Sequence, residues 1–168
     1  FKAALFMIVG IVDHQAGTRD IRALHGFGRS WWPALAVAVI SAASMAGLPP
    51  MIGFIAKEMA LDGALHATFT GATALVIVFV LGSILTFAYS ARFVLGVFGR
   101  FGDDEHEHVT ESAAAPAWSF VGPPALLAAF TVVAGAAPFI IDDLVSAATT
   151  AIDAAADPEH LALWHGIT

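Results

Sequence analysis

The chain has 168 residues, of which 58% are hydrophobic and only 12% charged, with a mean hydropathy of +0.80 and no cysteine. A water-soluble domain carries roughly 25% charged residues, so the composition excludes an ordinary soluble core, and the missing thiol excludes disulfide frameworks, thiolate metal sites and cysteine nucleophiles. A net charge of -7 argues against a nucleic-acid partner.

Residues 1–12, Phe1 to Val12, open inside an apolar run with no charged n-region and no cleavage site, which reads as the second half of a spanning helix rather than a signal peptide. The chain is therefore read as an internal piece of a longer membrane protein. Asp13 to Ser30 form a polar loop with Arg19, Arg22 and Arg29, and Trp31 and Trp32 then mark an interface belt. The next apolar run, residues 33–61, is interrupted at Leu48-Pro49-Pro50. Each proline lacks a backbone donor, so carbonyls near Met45 and Ala46 lose their usual partners. In lipid such a break is either an ordinary proline kink or the mark of an ion path lined by protein or water.

A third apolar run covers residues 71–98, with Tyr89 and Arg92 toward its far end, and is followed by the acidic, histidine-rich loop Gly102 to His108. A fourth covers 117–141, with Pro123-Pro124 in its first turns and Pro138 near its end. Residues 142–168 read as an outer amphipathic tail. Leu144, Ala148 and Ile152 recur there at helical spacing as far as Pro158, and Leu161 to Gly166 lead to a further segment. The expected fold is all-α, a polytopic transmembrane helix bundle of about three and a half spans, with one helix broken at Pro49-Pro50. No second soluble domain is expected.

All five arginines, Arg19, Arg22, Arg29, Arg92 and Arg100, fall at the flanks of loops 13–30 and 99–116, and no lysine or arginine falls on the opposite flanks. Positive charge accumulates on cytoplasmic loops, which places loops 13–30 and 99–116 in the cytoplasm and the tail 142–168 outside.

With the arginines assigned to the loop flanks, only Lys2, Lys57 and Glu58 remain as charges within the apolar runs. A charge at a helix centre costs roughly 2.5–3.5 kcal/mol on insertion scales, so such residues face the bundle interior and mark ion or proton paths. Lys2 lies ten residues before Val12, which is about 15 Å of helix, or half of a ~30 Å hydrocarbon core. Lys57 lies about 38 Å of straight helix beyond Trp32, in the outer half or at the outer interface. Amines held away from water exchange protons more readily than hydrated ones, so two of them at different depths can pass a proton outward through water. The alternatives are a snorkelling Lys57 and a Lys2 that is a structural ion-pair partner. Glu58 points about 100° away from Lys57 on a helix, so no direct pair is assumed.

Further residues are candidates for the route. His66, on the outer side, is placed to accept a released proton or is a plain surface histidine. Ser41 and Ser44, just before the break, either line water or bond back to the preceding turn. His106-Glu107-His108 has metal-ligand chemistry but reads as a solvated acidic turn, and no metal or cofactor is expected. Gly71, Gly82 and Gly96 read as helix-packing sites. Phosphate loops, hydrolytic triads and dinucleotide fingerprints are missing from the sequence, so transport is expected rather than an enzymatic reaction.

The segments Phe1-Lys2-Ala3-Ala4-Leu5-Phe6-Met7, Val9-Gly10-Ile11-Val12-Asp13-His14-Gln15-Ala16-Gly17-Thr18-Arg19-Asp20-Ile21-Arg22, Ser44-Met45-Ala46-Gly47-Leu48-Pro49-Pro50 and Gly53-Phe54-Ile55-Ala56-Lys57-Glu58 resemble the A-subunit family of Mrp-type sodium/proton antiporters. That family is related to the large antiporter-like pumping subunit of respiratory complex I. Asp13-His14 followed by Gly17-Thr18-Arg19-Asp20, and Leu163-Trp164-His165-Gly166, point to the Mrp branch. The resemblance implies that the four runs correspond to the eleventh to fourteenth helices of a fourteen-helix core. It also implies that Lys2 is the buried channel lysine and Lys57 the exit-side lysine.

Two departures stand out: Ala56 replaces a serine common before the second lysine, and Ala113-Ala114-Ala115-Pro116 lacks a His-Glu pair common before that proline. The function so implied is sodium/proton exchange across a bacterial inner membrane. The partners would be other membrane subunits of a hetero-oligomer, sodium ions, protons and the lipid bilayer. The rivals are a proton-pumping subunit of a complex I-like NADH:quinone oxidoreductase or membrane-bound hydrogenase, and a structural membrane scaffold that moves no ions.

Overall fold

The computed structural model describes residues 1–24, 26–27, 29–99, 113–152 and 161, so Arg100, His106 to His108 and Leu163 to Gly166 lie outside the described residues. Among the described residues there are six α-helices and no strand: α1 Lys2–Ala16, α2 Trp32–Ala46, α3 Ile52–Leu65, α4 Ala72–Phe98, α5 Trp118–Ala136 and α6 Phe139–Ile152. The all-α bundle with a helix broken at Pro49-Pro50 is therefore what the chain forms.

The helix α1 outlasts its apolar run by a turn. Apolarity ends at Val12, but backbone pairing continues to Ala16, where Gly17 takes the left-handed conformation (φ 68°) and its N–H donates to the Asp13 carbonyl. Helices α4 and α5 have the length and apolarity to cross a membrane. With 27 and 19 residues, they measure about 40 and 28 Å against a ~30 Å hydrocarbon core. No residue of the most apolar stretch of α4 is buried. Leu75, Ile77, Val78, Leu81, Ile84 and Leu85 all point outward, a surface that suits hydrocarbon and not water. Helices α2 and α3, with 15 and 14 residues, reach only about 21–23 Å each, so neither half of the broken helix spans alone.

Small residues hold the bundle together. Ala34, Ala38 and Ala42 lie on one buried face of α2, with Val37 and Ser41 between them, while large apolar side chains such as Phe6, Trp32, Leu126 and Phe130 face outward. In lipid there is little hydrophobic drive between helices, so close backbone approach through small residues supplies the contact. Helix α1 packs on α2 and α5, α2 on α4 and α5, and α3 on α4 and α5. Helix α6 packs on α5 and buries none of its residues.

The core thickens at the arginine-bearing end, where Ile8, Ile11, Val12, Leu24, Trp31, Val97 and Val121 form one cluster. Trp31 corrects the interface-belt reading. It is only 2% exposed, its ring stacks on Phe27 at 3.9 Å and its Nε1 donates to the Ala113 carbonyl at 3.5 Å. A 3-10 turn over Arg29–Trp31 swings this indole inward and leaves Trp32, edge-on to Trp118 at 6.4 Å, to face outward. Trp31→Ala should remove about 3–5 kcal/mol of stability, read as a lowered Tm of the full-length protein in detergent, whereas Trp32→Ala should leave the Tm nearly unchanged.

The glycines also divide. Gly96 packs against the Ile21 side chain, and Gly71 starts α4 at a positive φ, but a Cβ on Gly82 would meet nothing within 4 Å, so it is not a packing site against any described residue. In the arginine loop, hydrogen bonds from Arg22 hold the Asp20 carboxylate below its ordinary range. A depressed carboxylate stabilises the fold above the unfolded value and loses that contribution only as pH falls through the folded one. Both side chains are exposed, so solvent screens the pair.

Candidate functional site

The break between α2 and α3 is built locally, from the end of one helix and the start of the next. Gly47 adopts a left-handed conformation (φ 84°), its N–H donates to the Ser44 carbonyl at 3.0 Å, and the Leu48 N–H donates to the Ala43 carbonyl at 3.0 Å. This pairing is a Schellman end. It satisfies Ala43 and Ser44 and leaves the next carbonyls, Met45 and Ala46, beyond the helix's own donors. Pro49 and Pro50 supply no N–H, and the peptide bond between them is cis. Met51 is extended, and α3 begins at Ile52.

The chain then folds back on this end. Lys57 Nζ donates to the Ala46 carbonyl at 3.0 Å, so the carbonyl released by the break is taken up by the lysine one and a half turns into the following helix. The lysine stem lies across Gly47, where a Cβ would come within 2.6 Å of Lys57 Cδ. A side chain at that position would push the stem off its acceptor. Gly53 meets the Ser44 backbone and Gly135 meets Pro50, Met51 and Ile52, both with no room for a Cβ. The break is thus clamped between α2 and α5 by two glycines.

Two open clefts flank the end of α2. One, of about 430 Å³, is lined by Lys2, Leu5, Phe6, Val9, Met45, Tyr89 and Phe93. The other, of about 440 Å³, holds Lys57 and Glu58 beside Ala46, Gly47, Phe54, Ser83 and Phe87. Measured along the helices, Tyr89 lies about 14 Å from Phe98 and Met45 about 20 Å from Trp32, which puts the Lys2 cleft 14–20 Å from the arginine-bearing end. Ser83, which lines the Lys57 cleft, lies about 23 Å from Phe98. The two amines therefore line neighbouring clefts, that of Lys57 the farther from the arginine-bearing end, and not one shared cavity.

Ser41 and Ser44 are both 0% exposed, and neither hydroxyl has a hydrogen-bond partner among the described residues. They do not bond back to the preceding turn. Ser90 and Thr86 do, donating to the Thr86 and Gly82 carbonyls at 2.6 and 2.7 Å. His66 is exposed at the end of α3, where its Nδ1 lies 3.0 Å from the Asp62 carbonyl and 3.3 Å from its carboxylate. It stands nine residues, or about 13 Å of helix, from Lys57, so the structure does not bring the two together. No cluster of three or more metal-ligating side chains occurs among the described residues.

Sequence reasoning missed the pairing of Tyr89 with Met45, in which Tyr89 Oη donates to Met45 Sδ at 3.2 Å. Signals for such residues are present in α4: its sole tyrosine, and a hydroxyl stripe of Ser83, Thr86 and Ser90 at helical spacing in a mostly apolar helix.

Together, the apolar exterior, the small-residue contacts and the clamped break define a polytopic integral membrane bundle. The chain belongs to the family described as NADH:quinone oxidoreductase/Mrp antiporter, TM, whose match covers residues 1–86. It is similar to the protein named Na(+)/H(+) antiporter subunit A1 of Staphylococcus haemolyticus (strain JCSC1435), 38% identical over 177 residues that take in 100% of this chain and 22% of that protein. The protein of the same name from Staphylococcus aureus (strain JH9) is 35% identical over 181 residues, again 100% of this chain and 22% of the relative. Among solved structures, that of the Mrp complex from Dietzia sp. DQ12-45-1b aligns with a TM-score of 0.80 and 36% identity over 99% of this chain and 18% of the matched chain. The chain thus spans about a fifth of the length of these relatives.

Proposed function

We propose that this chain is part of a cation/proton antiporter subunit of the Mrp type and carries a section of its lysine-based proton path. The observation that carries the reading is the Lys57 ammonium on the Ala46 carbonyl at the helix break, beside a cleft whose neighbour contains Lys2. Lys2 relays protons near the midplane and Lys57 passes them at the outer side. The broken helix at Pro49-Pro50 hydrates the route, and the buried Ser41 and Ser44 hydroxyls offer water the partners it needs. Glu58 lines the outer cleft, and His66, farther out and exposed, receives protons through water.

The arginine bias supports loops 13–30 and 99–116 in the cytoplasm and the tail 142–168 outside a bacterial inner membrane, with α6 lying along the interface. Residues 1–12, 33–61, 71–98 and 117–141 supply the transmembrane part. The partners are other membrane subunits, and the exchanged ions are sodium and protons. The chain is a transporter component and not an enzyme.

Both curated relatives above carry the antiporter name, which favours this reading over the redox-driven pump that shares the family. A scaffold would turn both amines away from any common cavity and pair them to fixed carboxylates; the amines do line separate clefts, but Lys57 holds an uncharged carbonyl exposed by the break. The test uses the full-length protein in its assembled complex, in everted membrane vesicles loaded with a pH-sensitive dye. Adding sodium should discharge an imposed proton gradient, and Lys2→Ala should suppress that discharge without altering assembly. Full discharge by the Lys2→Ala complex would refute the relay.

A further inference from the structure

We propose that Tyr89 and Met45 form the gate between the two lysine clefts, closed by the contact of the tyrosine hydroxyl with the methionine sulfur. The inference rests on the proton path proposed above. Both residues line the Lys2 cleft. Ala46 and Gly47, next to Met45 in the chain, and Phe87, two residues before Tyr89, line the Lys57 cleft. The Tyr89–Met45 contact bridges α4 and α2 at 3.2 Å, at the edge of the Lys2 cleft and beside residues that line the Lys57 cleft.

The chemistry suits a gate. A thioether sulfur is a weak acceptor, so the hydroxyl exchanges it for water at little cost. Tyrosine turns about two side-chain bonds, and Tyr89 is 48% exposed and lines the Lys2 cleft, so the ring has room to swing. Methionine is flexible and adapts to either position. Phe93 lines the Lys2 cleft and Phe87 the Lys57 cleft, so the closed pair has an apolar ring from each cleft near it. Open, it lets a water file join Lys2 to Lys57.

The experiment measures proton leak without sodium in everted vesicles that contain the full-length protein in its complex. A gate that is open about a tenth of the time or less when intact predicts that Tyr89→Ala and Met45→Ala each raise the leak about tenfold. The double variant should leak no more than either single, because both remove one contact. Tyr89→Phe keeps the ring and loses the hydroxyl, so its leak should rise about threefold, the worth of one weak hydrogen bond. That variant carries the test if Tyr89→Ala does not assemble. Leak unchanged in all single variants, or a double whose leak is the product of the singles, overturns the gate. If Lys57→Ala still abolishes sodium-dependent flux in the same vesicles, the lysine path survives that result. If Lys57→Ala leaves the flux intact, the path itself has failed and the gate falls with it.

Discussion

Gly53→Val should remove the assembled protein from the membrane, whereas Gly63→Ala in the same helix should leave it intact or slightly more abundant. Gly53 is the second residue of α3 and is buried. Its Cβ position is already occupied by the Ser44 carbonyl, with the Ser44 hydroxyl 2.9 Å away. Overpacking a well-fitted interior typically costs about 1–3 kcal/mol and occasionally more. Here the obstacle is backbone on both sides, which cannot rotate away as a side chain can. Making room means parting α2 from α3, and that also draws Lys57 off the Ala46 carbonyl. Gly63 has nothing within 4 Å of a Cβ, and alanine there lowers the conformational entropy of the unfolded chain, a gain of about 0.5–1 kcal/mol. Immunoblots of membranes and native gels of the complex read both variants. A Gly53→Val protein that assembled at normal levels would show that the close crossing of α2 and α3 is dispensable.

The same crossing shows where the sequence was legible. The break and its released carbonyls could be read from Pro49-Pro50 alone, because proline removes donors at a known offset, and the structure leaves the Met45 and Ala46 carbonyls outside the helical pairing. The two amines could be found because charge in an apolar run is rare and costly. Their surroundings were not legible. Lys57 meets Ala46 only because α3 folds back through a turn whose direction is set by the left-handed Gly47 and by the glycine contacts with α2 and α5. Tyr89 meets Met45 across 44 residues of sequence, a pairing fixed by how α2 lies against α4. Trp31 misled for a related reason. Composition places a tryptophan at a membrane interface, but a single 3-10 turn decides whether its ring faces lipid or covers the core. A depth counted along a straight helix takes no account of the break: splitting the run into α2 and α3 shortens the axial path, and Ser83, which shares the Lys57 cleft, stands about 23 Å of helix from Phe98.

Lys57→Ala and Lys57→Arg should both abolish sodium-dependent proton flux, and the pair separates chemistry from architecture. The ammonium does two things at one position. It caps the Ala46 carbonyl at 3.0 Å, and in the proposed path it takes up and releases a proton. Alanine removes both. The bare carbonyl faces the 440 Å³ cleft, where water can replace the lost donor, so the structural loss should stay near the lower end of the roughly 1.5–3 kcal/mol that a hydrogen bond from a charged group contributes. Arginine keeps a positive charge and five donors, so the end of α2 stays capped. Its guanidinium remains protonated at every working pH, however, and it cannot pass a proton on. Vesicle flux and native gels on the two variants then give a clear division. A complex that assembles with arginine and carries no flux shows that Lys57 works by exchanging its proton. Flux restored by arginine would show that capping the broken helix is the whole of its role, and the outer half of the proton path would have to run elsewhere.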